Sequence, residues 1–220
     1  MIVVNIFAIY QYDLQAVRLF RSVTSFIFLV TFVILGGFKK KLMFFALLFF
    51  FISDLFINRY DQIVYNNLTS VASTLGYLFI GYYMFPKFKL VSIKKRIVAL
   101  FLVIILISAY MFYEVIGLMS ASLNNTWHQY LYYLYSLVLL ALLILVGNYN
   151  FRYNSTQSTY CMFFVFSFVV SDLFAAISYY LGIPMFYYPT RFFYVLGLGL
   201  LTAYAVLKFE KELLYEDEEQ

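Results

Sequence analysis

Two aspartates lie inside apolar segments of membrane-spanning length, and the same residues surround each of them. Asp54 interrupts the apolar run 42–58, and the phrase Phe-x-x-Ser-Asp-Leu-Phe around it returns 118 positions later around Asp172. A carboxylate inside a bilayer is costly unless it is neutral, paired or facing water. Both aspartates are therefore candidates for a functional site.

Two carboxyl groups at one depth can divide acid–base chemistry between them. One carboxylic acid donates a proton, and an ionised partner stabilises positive charge or activates water. Glu114, near the end of another apolar segment, is a third catalytic candidate, although it would equally reach interfacial water. One buried acid is often only a structural hydrogen-bond partner, whereas two in a repeated phrase favour a site. We expect Asp54 and Asp172 to face one shared cavity.

The composition places this site in a membrane protein. Of the 220 residues, 65% are apolar and only 12% are charged, with a mean hydropathy of +0.86. Soluble domains are about a quarter charged. The sequence therefore predicts one transmembrane helical domain over residues 1–207, followed by an acidic cytoplasmic tail over residues 208–220. The basic residues lie in short loops between apolar segments, so we expect a lipid bilayer and no nucleic acid as partner.

Known cofactor motifs are missing from the sequence. A single histidine and a single cysteine cannot form a three-ligand zinc site of the His/Cys type. The sequence also contains no glycine-rich phosphate loop and no Gly-x-Ser-x-Gly motif. We therefore expect neither a metal nor a cofactor.

The segments that must position the aspartates are apolar and about 20 residues long, as a bilayer requires. They predict an all-α, polytopic transmembrane bundle with seven full spans, preceded by a short apolar segment at residues 1–10. The seven spans are 19–38, 42–58, 63–85, 97–119, 127–149, 160–182 and 192–208. Asp54 and Asp172 lie on spans that run in the same direction. The first three and last three spans are therefore candidate parallel copies, joined by the fourth.

The loop charges predict the orientation of the chain. Eleven Lys and Arg residues follow the odd-numbered spans, and only four lie on the other side. The positive-inside bias then places the carboxyl tail in the cytoplasm. We expect the protein to be a multi-pass protein of the cell membrane. The polar residues of the spans fall in their outer halves. This distribution predicts a cavity open to the outer leaflet, with carboxylates deep and arginines near its rim.

Five further residues are candidates for substrate binding in this cavity. They are Arg21, Asn67, His128, Arg191 and Tyr194. The two arginines would equally extend to lipid headgroups, and His128 beside Trp127 is also typical of an interfacial aromatic belt. We interpret the tyrosines at positions 130, 132, 133 and 135 as packing residues.

The chain resembles the YhhN family of lysoplasmalogenase-like membrane proteins at three places. These are the Ser53-Asp54 pair, the phrase that runs from Phe168 to Asp172, and the spacing of Tyr194 in the next span. The family's eight-span plan would make residues 1–10 the end of a shortened first helix.

The chain also departs from the family pattern around the two aspartates. Ser53 stands in place of the family's Gly before Asp, Arg21-Ser22 in place of Lys-Pro, and Thr74 in place of a His before Tyr77. A Gln expected after Tyr194 is replaced by Leu198 and Gly199.

The resemblance implies hydrolysis of the vinyl ether bond of a lysoplasmalogen, which yields a fatty aldehyde and a glycerophospho-alcohol. One aspartate would then be the acid and the other the base; we assign Asp172 as the acid and Asp54 as the base, although the sequence is equally consistent with the reverse order. Arg21 would hold a headgroup phosphate. The substrate would be a membrane lipid. Two alternatives remain: a proton-coupled transporter of a small solute or lipid, and a catalytically inactive lipid-binding relative. A transporter requires a cavity that also opens inward.

Overall fold

The chain folds into a bundle of α-helices. The computed structural model describes residues 1–88, 95–122 and 126–206, which form eight α-helices and no strands. The helices are α1 (Ile2–Gln11), α2 (Leu14–Ile34), α3 (Lys41–Ile57), α4 (Ile63–Met84), α5 (Lys95–Ser122), α6 (Thr126–Tyr153), α7 (Thr156–Tyr180) and α8 (Tyr187–Val206). The predicted all-α class is confirmed. The predicted acidic tail lies outside the described residues.

Within the described ranges, five helices are long and apolar enough to cross a membrane, namely α2, α4, α6, α7 and α8. Helix α3 has 17 residues, and the apolar part of α5 covers Leu102–Gly117. A membrane protein fits this architecture, but length and apolarity do not establish seven spans. Helix α2 begins before the predicted residue 19 because the Asp13 side chain caps it, accepting a 2.9 Å hydrogen bond from the Ala16 amide.

The packing of the helices repeats within the bundle. Helix α2 packs on α3 and α8, while α6 packs on α7 and α4. The hairpins α3–α4 and α7–α8 each pack closely along their length. The sets α2–α4 and α6–α8 therefore have equivalent neighbours, as expected for the predicted copies. Helix α1 lies against α2 and α8.

The same side-chain contacts hold both hairpins together. Ser53 Oγ donates to the Thr69 carbonyl at 3.2 Å, and Ser171 Oγ donates to the Thr190 carbonyl at 3.0 Å. Hydrogen bonds of this kind link neighbouring helices where water is scarce. The repeated Ser-Asp phrase thus has a structural role in its serine, which fixes each aspartate helix to the following helix.

A glycine faces a phenylalanine in each hairpin. A Cβ atom at Gly76 would lie 2.7 Å from the Phe50 ring, and one at Gly197 would lie 2.9 Å from the Phe168 ring. Small residues of this kind let helices approach closely. The two phenylalanine rings meet each other with centroids 5.1 Å apart, in the centre of the bundle.

The two ends of the bundle differ in character. The aspartate end is formed by the carboxyl ends of α3 and α7 and the amino ends of α2, α4, α6 and α8. At the opposite, lysine end, Lys87 Nζ donates to the hydroxyls of Tyr149 at 2.9 Å and Tyr204 at 3.1 Å. Both tyrosines are fully buried, and buried Met84 and Cys161 lie beside them. The lysine end is therefore filled with side chains.

We predict that Gly76→Ala and Gly197→Ala each lower the stability of the fold. The added methyl group would collide with Phe50 or Phe168, and both rings are confined by the bundle core. Overpacking of this kind costs about 1–3 kcal/mol. The measurement is the midpoint of thermal unfolding of the purified protein in detergent.

Gly81→Ala and Gly199→Ala are matched controls in the same two helices. Their Cβ atoms would lie 3.9 Å from Leu145 and 3.8 Å from Phe28, which are ordinary contacts. Since alanine is about 1 kcal/mol better than glycine within a helix, these variants should be neutral or slightly stabilised. Equal midpoints for all four variants would contradict the close packing.

Candidate functional site

A cavity opens among the helices at the aspartate end of the bundle. It is lined by residues of α2, α3, α4, α6, α7 and α8 and has a volume of about 130 Å³. At about 30 Å³ per water, that volume holds roughly four water molecules or a small polar group. Its wall includes Asp172, three arginines and several tyrosines. We call this space the site cavity.

Asp172 presents its carboxyl group to the site cavity. Tyr77, from α4, donates a 2.6 Å hydrogen bond to Oδ2, and Tyr135, from α6, donates to the same oxygen. Oδ1 has no hydrogen-bond partner among the described residues. Two hydroxyl donors on one oxygen fix the orientation of the carboxyl group. The other oxygen is left for a ligand.

Asp54 has a different environment, which corrects the expectation that both acids face the cavity. Its side chain is only 1% exposed, and it does not line the site cavity. Arg21 donates from Nε to Asp54 Oδ1 at 2.6 Å, and the Tyr194 hydroxyl donates to Oδ2. The Arg21 guanidinium also lies 4.0 Å over the Tyr194 ring. Asp54 therefore fixes Arg21, and Arg21 reaches the cavity.

The tyrosine bonds to the two aspartates cross between the repeated hairpins. Asp54 on α3 accepts from Tyr194 on α8, and Asp172 on α7 accepts from Tyr77 on α4. Each hairpin thus supplies an acid and also the tyrosine that satisfies the acid of the other hairpin. The rings of Tyr77 and Tyr194 both contact Phe168 beneath the site. The two carboxyl groups consequently belong to one network.

A second ion pair lies at the rim of the cavity. Arg18 donates two hydrogen bonds to Asp61, at 2.7 and 3.0 Å, and Tyr179 donates to the same carboxylate at 3.1 Å. The bonds from Arg18 hold the pKa of Asp61 below its ordinary value. The Asp61 side chain remains 70% exposed, whereas the Arg18 side chain is only 6% exposed. This pair is therefore screened by solvent in a way that the Arg21–Asp54 pair is not.

Three tyrosine hydroxyls also meet in the cavity wall. Tyr180 lies 3.1 Å from Tyr60 and 3.2 Å from Tyr132, measured between hydroxyl oxygens, and Tyr60 and Tyr132 also bond to each other. Desolvation, reinforced by the neighbouring tyrosines, raises the pKa of Tyr60 well above its ordinary value. Tyr60 therefore remains a neutral hydroxyl near pH 7.

Arg191 lines the cavity from α8 and is almost completely buried, with 4% of its surface exposed. Its Nη2 donates to the Val17 carbonyl at 3.0 Å. Within the described ranges its Nε and Nη1 have no hydrogen-bond partner. Neither predicted arginine extends outward from the bundle, because Arg21 and Arg191 both point into its interior.

The remaining predicted residues lie outside the cavity. His128 and Asn67 bond to each other, and the His128 ring contacts Tyr132 with centroids 4.7 Å apart. Neither of the two lines the cavity. Glu114 is exposed on α5, near Tyr110, and is not brought together with either aspartate. Across the described residues, no three His, Cys, Asp or Glu side chains converge as metal ligands would.

The sequence interpretation missed the tyrosines that serve the site. Tyr132 and Tyr135 were expected only to pack, but both line the cavity and use their hydroxyls. Tyr130 and Tyr133 are exposed. The available signal was the position of Tyr77 and Tyr135 well inside apolar helices, because a buried tyrosine hydroxyl requires a partner.

We compared the chain with known protein families, curated proteins and solved structures. No family model, curated protein or solved structure matches the chain. The fold and the site define the class: an all-helical protein with helices suited to a membrane and a charged cavity at one end. The resemblance to the YhhN family remains a hypothesis about the particular protein.

We predict that Asp54→Asn destabilises the fold strongly. The substitution leaves Arg21 as a buried charge without its carboxylate, and breaking a buried pair in this way costs about 3–5 kcal/mol. The measurement is the unfolding midpoint in detergent, compared with that of the unmodified protein.

Asp61→Asn is the matched control, because Asp61 also pairs with an arginine of α2. Because the Asp61 side chain is 70% exposed, water can replace its carboxylate beside Arg18, and the substitution should cost at most about 1 kcal/mol. Because the folded-state pKa of Asp61 is lowered, its contribution is present above the ordinary aspartate pKa and is lost as the pH falls through the lowered value. Equal destabilisation by Asp54→Asn and Asp61→Asn near pH 7 would contradict the distinction between the two pairs.

Proposed function

We propose that this chain is a membrane-embedded hydrolase of the lysoplasmalogenase type, which cleaves the vinyl ether bond of a lyso-ether phospholipid. The observation that carries the proposal is the Asp172 carboxyl group. It lines the cavity, and tyrosine hydroxyls hold one of its oxygens while the other has no partner among the residues that the structure describes. This arrangement suits a proton donor better than a purely structural hydrogen bond.

The protonated form of Asp172 would start the reaction. Both tyrosine hydroxyls donate to Oδ2, so the acidic proton of a neutral carboxyl group resides on Oδ1. Burial favours this neutral form of a carboxyl group over the charged form. Oδ1 then transfers the proton to the second carbon of the vinyl ether. The carbon that bears the ether oxygen becomes part of an oxocarbenium ion.

Water completes the reaction. The Asp172 carboxylate stabilises the cation and accepts a proton from the water that adds to it, as a glycosidase carboxylate does at an acetal. The product is a hemiacetal, which collapses to a fatty aldehyde and a glycerophospho-alcohol. One water is consumed, and Asp172 regains its proton.

Asp54 has a positioning role in this proposal, in place of the base role first expected. Its carboxylate is bonded to Arg21 and Tyr194 and does not line the cavity. It holds the Arg21 guanidinium at the cavity wall, where the positive charge compensates the charge that Asp172 acquires. Arg21 and Asp172 both line the cavity, so their charges interact across it.

The proposal includes a seven-span topology made of α2 to α8, in the cell membrane, with the carboxyl end in the cytoplasm. The 17 residues of α3 are at the lower limit of spanning length, about 17 to 25 residues. The aspartate end would then face outward, and the lipid substrate would enter from the outer leaflet.

A proton-coupled transporter is less well supported. Alternating access needs a path to the opposite side of the membrane. The Phe50 and Phe168 rings contact each other in the bundle core between the two ends, and Lys87 packs with its two tyrosines at the lysine end. These contacts favour a cavity with one opening.

The test is aldehyde release from an alkenyl lysophosphatidylethanolamine by the purified full-length protein. We expect release from this lipid and none from the saturated alkyl ether. Asp172→Asn should reduce the rate by about 100-fold or more, which is the usual contribution of a general acid. Glu114→Gln is the matched control, because its carboxylate is exposed and away from the cavity. It should leave the rate unchanged.

Unchanged activity in Asp172→Asn would eliminate the catalytic assignment. Binding of the lipid without any aldehyde release by the unmodified protein would identify an inactive lipid-binding relative instead.

A further inference from the structure

We infer that Arg191 forms a phosphate-binding subsite in the wall of the site cavity, and that the phosphate belongs to an amphiphile. The inference rests on the proposed function, since it assigns a recognition group within the same cavity, but it does not require that the lipid be cleaved. It is carried by the hydrogen bonds and charges of three arginines.

The guanidinium of Arg191 is only partly satisfied by the protein. Nη2 is bonded to the Val17 carbonyl, whereas the buried Nε and Nη1 have no partner among the described residues. Buried polar groups are nearly always hydrogen-bonded, and a charged donor without an acceptor is especially costly. The side chain lines the cavity, so a ligand in the cavity can supply the acceptor.

The charges around the cavity indicate that the ligand is an anion. Arg18 is paired with Asp61, and Arg21 is paired with Asp54. Within the described part of the chain, Arg191 forms no ion pair. Of the three arginines that line the cavity, only Arg191 therefore carries a positive charge without a carboxylate partner. An anionic group beside it would compensate that buried charge.

The geometry of the free donors favours phosphate. A guanidinium presents its N–H groups in a rigid planar fork, which matches two oxygens of a phosphate or carboxylate group. The Tyr187 hydroxyl also lines the cavity and is an additional donor for a third phosphate oxygen. A carboxylate has no third oxygen that could accept this bond.

A neighbouring apolar cavity indicates that the phosphate is attached to a hydrocarbon. This second cavity has a volume of about 500 Å³ and shares Leu14, Tyr179 and Tyr187 with the site cavity. Its wall includes Val17, whose carbonyl accepts the Arg191 bond, and Met185. The polar subsite and an apolar space thus adjoin each other, as the two parts of an amphiphile require.

The experiment measures binding by the purified full-length protein and uses probes that cannot be hydrolysed. The probes are a saturated 1-O-alkyl-glycerophosphoethanolamine, the matching 1-O-alkylglycerol without phosphate, and inorganic phosphate alone. We expect the phosphate-bearing lipid to bind at least about tenfold tighter than the alkylglycerol, since the phosphate gains charge-assisted hydrogen bonds.

Arg191→Gln should abolish this preference and leave the alkylglycerol affinity unchanged. Arg191→Lys should retain part of the preference, because it keeps the charge but loses the planar fork. Arg59→Gln is the matched control, since Arg59 is exposed and does not line the cavity. It should bind all three probes as the unmodified protein does. Thermal unfolding midpoints identify any variant that fails to fold. The preference of the unmodified protein for the phosphate-bearing lipid over the alkylglycerol tests the subsite without any substitution.

The probes also distinguish the source of the phosphate. Arg191-dependent binding of the lipid supports the inference as stated, with or without cleavage of alkenyl lipids by the same preparation. If inorganic phosphate binds in an Arg191-dependent way and the phosphate-bearing lipid does not, the assignment to an amphiphile is overturned. Equal affinity for the two lipids, or a preference that persists in Arg191→Gln, would overturn the subsite itself. Failure of the aldehyde assay alone would remove the proposed reaction and leave the subsite in place.

Discussion

The site depends on the ion pair between Arg21 and Asp54. Both groups are largely removed from bulk water, since the carboxylate is 1% exposed and the arginine side chain is 11% exposed. In such surroundings each charge requires its partner. Tyr194, from α8, completes the pair by donating to Asp54 and by stacking against the guanidinium. Three helices must therefore be in place before the pair is satisfied, which links the site to the assembly of the whole bundle.

The repeat brings the two acids to equivalent positions, but their hydrogen-bond partners differ. Serine bonds and glycine–phenylalanine contacts are equivalent in the two hairpins, so the backbone brings both aspartates to one end. Their partners are not equivalent. Arginine neutralises Asp54, while the hydrogen bonds to Asp172 within the described ranges come from tyrosine hydroxyls. A duplicated framework thus holds one structural carboxylate and one that is available to a ligand.

The bundle also makes the cavity asymmetric along its axis. Phe50 and Phe168 form an apolar layer below the charged residues, and the lysine end is filled by aromatic side chains. Among the described residues, the site cavity and its charged groups therefore lie at the aspartate end.

The sequence by itself determined the helical class, the repeated Ser-Asp phrase and the candidates Asp54, Asp172, Arg21 and Arg191, because apolar spans and isolated polar residues are local features. Only the tertiary structure decided which acid faces the cavity, that Glu114 points away, and that Tyr77 and Tyr135 hold Asp172. These outcomes depend on the rotation of each helix about its own axis and on hydrogen-bond partners that lie 37 to 140 residues away along the chain. Hydropathy along one segment carries no information about either, since both are set by packing between helices.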